Sequence, residues 1–195
     1  MDIGLRKKEK KEGTNLIKNK KILVLSIPII VLILMIILPL MTYLMGETII
    51  LKTRPYDPRD LFRGDYVSLD YEIEEIDINK FEDGIIINDD GIYKNEIDKV
   101  YIVLKDLNGI HTVDYVAKDK PQNKPYLFAK IQGIRNAYKD SNEPAIVVLD
   151  CGLDNYFVPE NTGIELEEMS REGELFVEVK TLGDYAILKS IYPIK

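Results

Sequence analysis

The chain has 195 residues and a formal net charge of −7, with 33 acidic against 26 basic side chains, one histidine and one cysteine. That length leaves room for one globular domain plus extras. The acidic balance argues against a nucleic-acid partner, the lone cysteine forbids an internal disulfide, and the lone histidine rules out a zinc site built from several histidines.

The N-terminal segment is read first as a topology signal. Residues 1–21 carry 8 basic and 3 acidic side chains, and Ile22–Met45 follows as 24 residues without a charge. A run of that length spans a hydrocarbon core of roughly 30 Å. A cleaved leader has an apolar stretch of only about 7–15 residues before a small-residue site, and Thr42-Tyr43-Leu44-Met45-Gly46-Glu47 contains no A-x-A pattern. The expectation is therefore an uncleaved single-pass anchor that contacts the lipid bilayer through residues 22–45. The positive-inside tendency keeps the tail cytoplasmic and places residues 46–195 outside. This exported part holds 18 basic and 30 acidic residues, a formal charge of −12.

Beyond Gly46 the dominant signal is period-two alternation, the signature of strands. Strands are expected at Thr48–Thr53, Asp65–Ile73, Lys99–Lys105, Ile110–Val116, Tyr126–Ile134, Ala145–Cys151, Leu175–Lys180 and Asp184–Ile191. In the second of these, Val67, Leu69, Tyr71 and Ile73 share one face, while Tyr66, Ser68, Asp70 and Glu72 share the other. Asn108-Gly109 marks a hairpin because both residues tolerate positive φ, and Thr181-Leu182-Gly183 is read as another connection of that kind. Thr162-Gly163-Ile164-Glu165 fits a capping box opening one short helix that Gly173 closes. Glu74–Ile97 gives no clear pattern and is read as a short helix or an ordered loop. The fold class expected is mainly β: one N-terminal transmembrane helix, then a β-sandwich or barrel-like domain with one short helix. Cys151, at the end of an apolar strand, reads as a small core residue.

The densest stretch is Asp57-Pro58-Arg59-Asp60-Leu61-Phe62-Arg63-Gly64-Asp65. Asp57, Pro58 and Asp60 suit a single helical turn, and Gly64 suits the positive-φ position of a tight turn. Arg54, Arg59 and Arg63 exceed what a turn needs. They point either to pairing with carboxylates such as Asp57, Asp60 or Asp65, or to an anion site. Tyr66, opposite Leu69 and Tyr71, is the residue best placed to serve something other than the core.

Gly64-Asp65-Tyr66-Val67-Ser68-Leu69-Asp70-Tyr71 matches G-D-Y-x-x-L-x-Y and resembles the family of bacterial membrane-anchored proteins that carries this motif. The preceding Asp57–Leu61 with Arg63 is similar to that family's lead-in. Tyr156-Phe157-Val158-Pro159-Glu160 resembles its second signature, although Asn161 stands where a glycine usual in the family would be. The likeness covers roughly residues 22–195. It implies an anchored, exported protein associated with a polytopic membrane protein, and it brings no activity with it.

Two other functional classes are weighed. Signal peptidases also join an anchor to a β-domain, and their nucleophile segment resembles S-M-x-P-T-L-x-x-G-D. Aligned on Gly64-Asp65, however, Tyr56 replaces the serine and Arg59 the proline, so Lys130 has no serine to activate. Asn88-Asp89-Asp90-Gly91 superficially fits a calcium loop, but Ile86 and Ile97 fall where carboxylates are needed. Arg63-Gly64-Asp65 spells an adhesion tripeptide whose residues the turn already explains. No catalytic residue, metal ligand or cofactor is assigned. The preferred reading is an accessory or binding domain tethered to the outer face of the membrane.

Overall fold

The structure is a computed structural model that describes residues 25–54, 66–137, 143–157 and 175–193; at 66–68 and 155–157 it describes the backbone only. Leu25–Met45 form a helix, α1, of 21 residues. At about 1.5 Å per residue its length matches a bilayer's hydrocarbon core, so α1 is long and apolar enough to cross a membrane.

The chain divides into two compact units, residues 1–41 and 42–195. The second holds the strands β1 (Glu47–Arg54), β2 (Tyr66–Ser68), β3 (Asp70–Tyr71), β4 (Glu75–Asp77), β5 (Ile86–Asp89), β6 (Ile92–Asn95), β7 (Lys99–Leu107), β8 (Ile110–Ala117), β9 (Tyr126–Arg135), β10 (Ile146–Asp150), β11 (Asn155–Phe157), β12 (Leu175–Leu182) and β13 (Tyr185–Pro193). It also has 3₁₀ turns at Glu72–Glu74 and Ile78–Lys80. One antiparallel sheet runs β13-β12-β1-β3 and another β4-β10-β9-β7-β8; β2 with β11 and β5 with β6 form two-stranded ribbons.

The alternating pattern builds a core between the two larger sheets. Ile49 and Leu51 on β1 and Leu175, Val177 and Val179 on β12 are fully buried, and so are Val100 and Ile102 on β7, Ala129 on β9 and Val147 on β10. All belong to one apolar cluster. Each buried aliphatic side chain contributes on the order of 1.5–3 kcal/mol from removal of apolar surface from water. The one polar side chain that β1 turns into this layer, Thr53, is satisfied: its Oγ1 donates to the Leu175 carbonyl at 3.1 Å and accepts from the Leu175 amide at 3.3 Å.

Turn chemistry places the hairpins. Asn108 and Gly109 adopt φ of +58° and +88° between β7 and β8, the geometry read from the sequence. Asp90 and Gly91 do the same between β5 and β6, with φ of +52° and +81°, so the Asn88–Gly91 segment is a tight hairpin turn in which the Gly91 amide donates to Asn88 Oδ1 at 3.0 Å.

Several boundaries differ from the sequence reading, each for a physical reason. Asp65–Ile73 is not one strand. β2 pairs with β11 and β3 with β1, and a 3₁₀ turn follows at Glu72–Glu74. Leu69, Tyr71 and Ile73 are buried as the alternation requires, but the turn breaks the period, so Glu74 is buried beside Ile73. Between β12 and β13 the turn lies at Gly183-Asp184, because β12 runs on through Leu182, which pairs with Tyr185 at the start of β13. β10 stops at Asp150, leaving Cys151 just beyond it, partly buried against the core. Glu74–Ile97 holds β4, β5, β6 and a 3₁₀ turn. The helix expected at Thr162–Gly173 lies outside the described residues.

Candidate functional site

The two sequence signatures meet. β2, inside the first motif, pairs antiparallel with β11, inside the second, in the register Tyr66↔Phe157, Val67↔Tyr156 and Ser68↔Asn155. The ribbon continues where the Leu69 amide donates to the Asp154 carbonyl at 2.8 Å. Leu69 and Tyr71 then plunge into the core, with relative exposures of 1% and 0%. The Tyr71 hydroxyl donates to the Leu153 carbonyl at 2.9 Å, which ties the end of the first motif to the segment leading into the second. Burial, reinforced by the neighbouring Glu74 carboxylate, pushes the Tyr71 phenol above its ordinary pKa. The final tyrosine of the motif is thus a neutral structural clamp.

Of the three arginines in the corner, Arg54 is described, and it is paired internally. Its guanidinium reaches Asp70 Oδ2 at 2.9 Å and also the carboxylate of Glu75, which Arg135 shares. The sequence reading expected partners among Asp57, Asp60 and Asp65; the observed ones are Asp70, brought opposite Arg54 by the β1–β3 register, and Glu75. Asp57, Arg59, Asp60, Arg63, Gly64, Asp65, Pro159 and Glu160 lie outside the described residues, as do the side chains of Tyr66, Tyr156 and Phe157.

Directly beneath the clamp sits a buried acid that the sequence did not advertise. Glu74 is 6% exposed. Its Oε1 accepts from the Cys151 amide at 3.2 Å and its Oε2 from the Tyr71 amide at 3.3 Å. Burial raises its pKa from 4.5 to about 7, the carboxylates of Asp154 and Asp70 push the same way, and the two amide hydrogen bonds oppose them. The Cys151 thiol is likewise pushed well up, by burial first and then by Glu74. A thiol held protonated in this way is a poor nucleophile, in keeping with its reading as a core residue.

On the other side of the Glu72–Glu74 turn the two large sheets approach at their edges. β3 covers only Thr53 and Arg54 of β1, so the rest of that side of β1 faces β8, the last strand of the five-stranded sheet. His111 on β8 bridges this seam: its Nδ1 accepts from the Ile50 amide at 3.2 Å. The histidine is therefore structural in the sense expected of a strand-face residue. Alongside it opens a cleft of about 390 Å³ floored by Ile73, Ile76, Ile110, Val113 and Ile146. Polar groups rim it: the ion pair Lys52–Glu72 at 2.7 Å, Glu75, Asp77, Lys80, His111 and Thr112.

Lys130 stands exposed on β9, opposite Lys99 on β7 and Asp150 on β10, while Tyr56, aligned with a peptidase serine, lies outside the described residues. Among the described residues no group of three or more His, Cys, Asp or Glu side chains is arranged to hold a metal. Glu74 and Lys80 escaped the sequence reading because each closes a 3₁₀ turn, Glu72–Glu74 and Ile78–Lys80, within a stretch that carries no clear pattern. No local spacing marks them. Compared with known proteins, the chain matches the family model described as GDYXXLXY protein over residues 28–191. No curated protein and no solved structure matches it.

Proposed function

The chain belongs to the GDYXXLXY family, and from that footing we propose that it is an accessory domain held at the outer face of a membrane by α1, working beside a polytopic membrane protein rather than catalysing a reaction. The observation that carries the reading is the contrast between the two parts of the chain. α1 presents apolar side chains such as Leu32, Ile36 and Leu40 with about half or more of their surface exposed, which a protein in water avoids and a bilayer accommodates. Eight basic residues precede Ile22, and the β-domain after Gly46 is strongly acidic. Under the positive-inside tendency this places the tail in the cytoplasm and the domain outside. The acidic surface disfavours contact with anionic lipid headgroups and leaves the domain to engage a protein or a soluble ligand.

The test is recovery of the tagged full-length chain from membranes in a mild non-ionic detergent, followed by identification and quantification of what travels with it. The reading expects one polytopic membrane protein at a fixed ratio to the chain, lost when residues 46–195 are replaced by an unrelated domain. Recovery of the chain alone, or retention of the partner after that replacement, contradicts it.

A further inference from the structure

The tip of the β7–β8 hairpin carries a reactive pair of residues and a contact that restrains it. Asn108 is the one asparagine in the chain followed directly by glycine. In such a pair the glycine nitrogen, once it gives up its proton, can attack the asparagine Cγ, because glycine has no side chain to block the approach. The new N–C bond closes a five-membered succinimide and ammonia leaves. Water then opens the ring at either carbonyl, giving aspartate or isoaspartate, and the second product adds a methylene to the main chain. Asn108 and Gly109 are both exposed, and no atom lies within 4 Å of where a Cβ on Gly109 would stand, so the surroundings leave room for the ring and for water. One contact bears on the reacting atom itself: the Gly109 amide donates to Asp106 Oδ1 at 2.6 Å.

We propose that Asn108 is a latent site of deamidation and that Asp106 holds it closed. A hydrogen bond to a charged acceptor stabilises the protonated amide. The same carboxylate repels the anion that the amide must become, and it is far too weak a base to remove the amide proton itself. Both effects raise the barrier to ring closure. The neighbouring hairpin repeats the arrangement. Gly91 follows Asp90, a pair that forms the same ring with loss of water, and its amide donates to Asn88 Oδ1 at 3.0 Å. In both turns a side-chain oxygen three residues back takes the hydrogen of the glycine amide. The consequence of losing this restraint reaches beyond the tip. The residue opposite Asp106 across the hairpin is His111, whose Nδ1 accepts from the Ile50 amide at the β1–β8 seam. A main chain lengthened at position 108 disturbs the pairing that aims this histidine.

The test follows the chemistry directly. The full-length chain in non-ionic detergent micelles is incubated at mildly alkaline pH and digested at intervals. Mass spectrometry of the peptide holding Asn108 separates amide from acid, and labelling by an isoaspartate-specific methyltransferase identifies the rearranged product. Folded wild type is expected to deamidate at Asn108 more slowly than the same chain unfolded in urea. Asp106→Ala is expected to react roughly three- to tenfold faster than wild type, the rate equivalent of one lost hydrogen bond. Asp106→Asn, which retains an acceptor oxygen without the charge, should fall between the two. Leu107→Ala trims an exposed side chain of the same hairpin and leaves the Asp106 contact in place, so it should stay at the wild-type rate; this separates shielding from a general loosening of the turn. The proposal is overturned if Asp106→Ala deamidates at the wild-type rate, if Leu107→Ala speeds the reaction as much as Asp106→Ala, or if Asn108 reacts as fast folded as unfolded.

Discussion

Glu74 gives the domain a pH dependence opposite to that of an ordinary paired carboxylate. Its folded pKa of about 7 lies above the 4.5 expected of an exposed glutamate, so the folded state holds the proton more tightly than the unfolded state. The stabilisation from this group is therefore fully present below about pH 4.5 and is lost as the pH rises through 7. At about 1.4 kcal/mol per pH unit the whole effect amounts to roughly 3 kcal/mol, and about 2.5 kcal/mol of it falls between pH 5 and pH 8. Asp154, raised by burial and by Asp150 and Asp70, adds a change of the same sign. Asp114, lowered by Lys124, and Glu178, lowered by Lys189, act in the opposite direction, and both ion pairs lie at the surface where such effects are weak.

The variant Glu74→Gln isolates the term. The glutamine oxygen replaces one acceptor, but its NH₂ then faces the second amide, so the variant starts lower by about 1–3 kcal/mol at acid pH. Urea unfolding of the full-length chain in micelles, followed by the near-ultraviolet circular dichroism of its tyrosines, measures both proteins at pH 5 and pH 8. Wild type should lose more stability than the variant over that interval, by up to about 2.5 kcal/mol. Parallel losses in the two proteins would refute the assignment of a buried, high-pKa carboxyl to Glu74.

Two further predictions concern the frame. Removing the imidazole in His111→Ala strips the Ile50 amide of its acceptor and should cost about 1–3 kcal/mol, with faster hydrogen exchange at Ile50; His111→Asn, whose Oδ1 can occupy the place of Nδ1, should recover part of both. Gly109→Val should cost about 1–3 kcal/mol through strain alone, because Gly109 sits at φ +88° in otherwise open space, whereas Gly133→Ala, with open space and no positive φ, should be close to neutral; equal melting temperatures for Gly109→Val and wild type would disprove the turn geometry.

The residues themselves explain which parts of this molecule are readable without coordinates. α1 and the long strands were legible because each carries its pattern locally, as β12 does in alternating Leu175, Val177 and Val179 with half-exposed neighbours. The Asn108-Gly109 turn was legible because two adjacent residues specify it. The split of the motif strand was not, since it depends on β11, β1 and the Glu72–Glu74 turn claiming successive pieces of a continuous alternation. The site was legible in the same partial way. Both signatures stood out as motifs, but their meeting through β2 and β11, Asp70 and Glu75 as partners of Arg54, the buried Glu74 and the cleft beside His111 all arise from contacts between residues far apart in the chain.

Anchoring with the β-domain outside is the claim on which the proposed role rests, and the single native cysteine makes its test clean. In a Cys151→Ala background, one cysteine is placed at Gln122, exposed between β8 and β9, and in a second protein at Lys8 in the basic tail. Intact cells, or spheroplasts where an outer membrane is present, are treated with a membrane-impermeant maleimide. Labelling at position 122, with position 8 protected until the membrane is permeabilised, is the predicted result; labelling at position 8 with position 122 protected would contradict it.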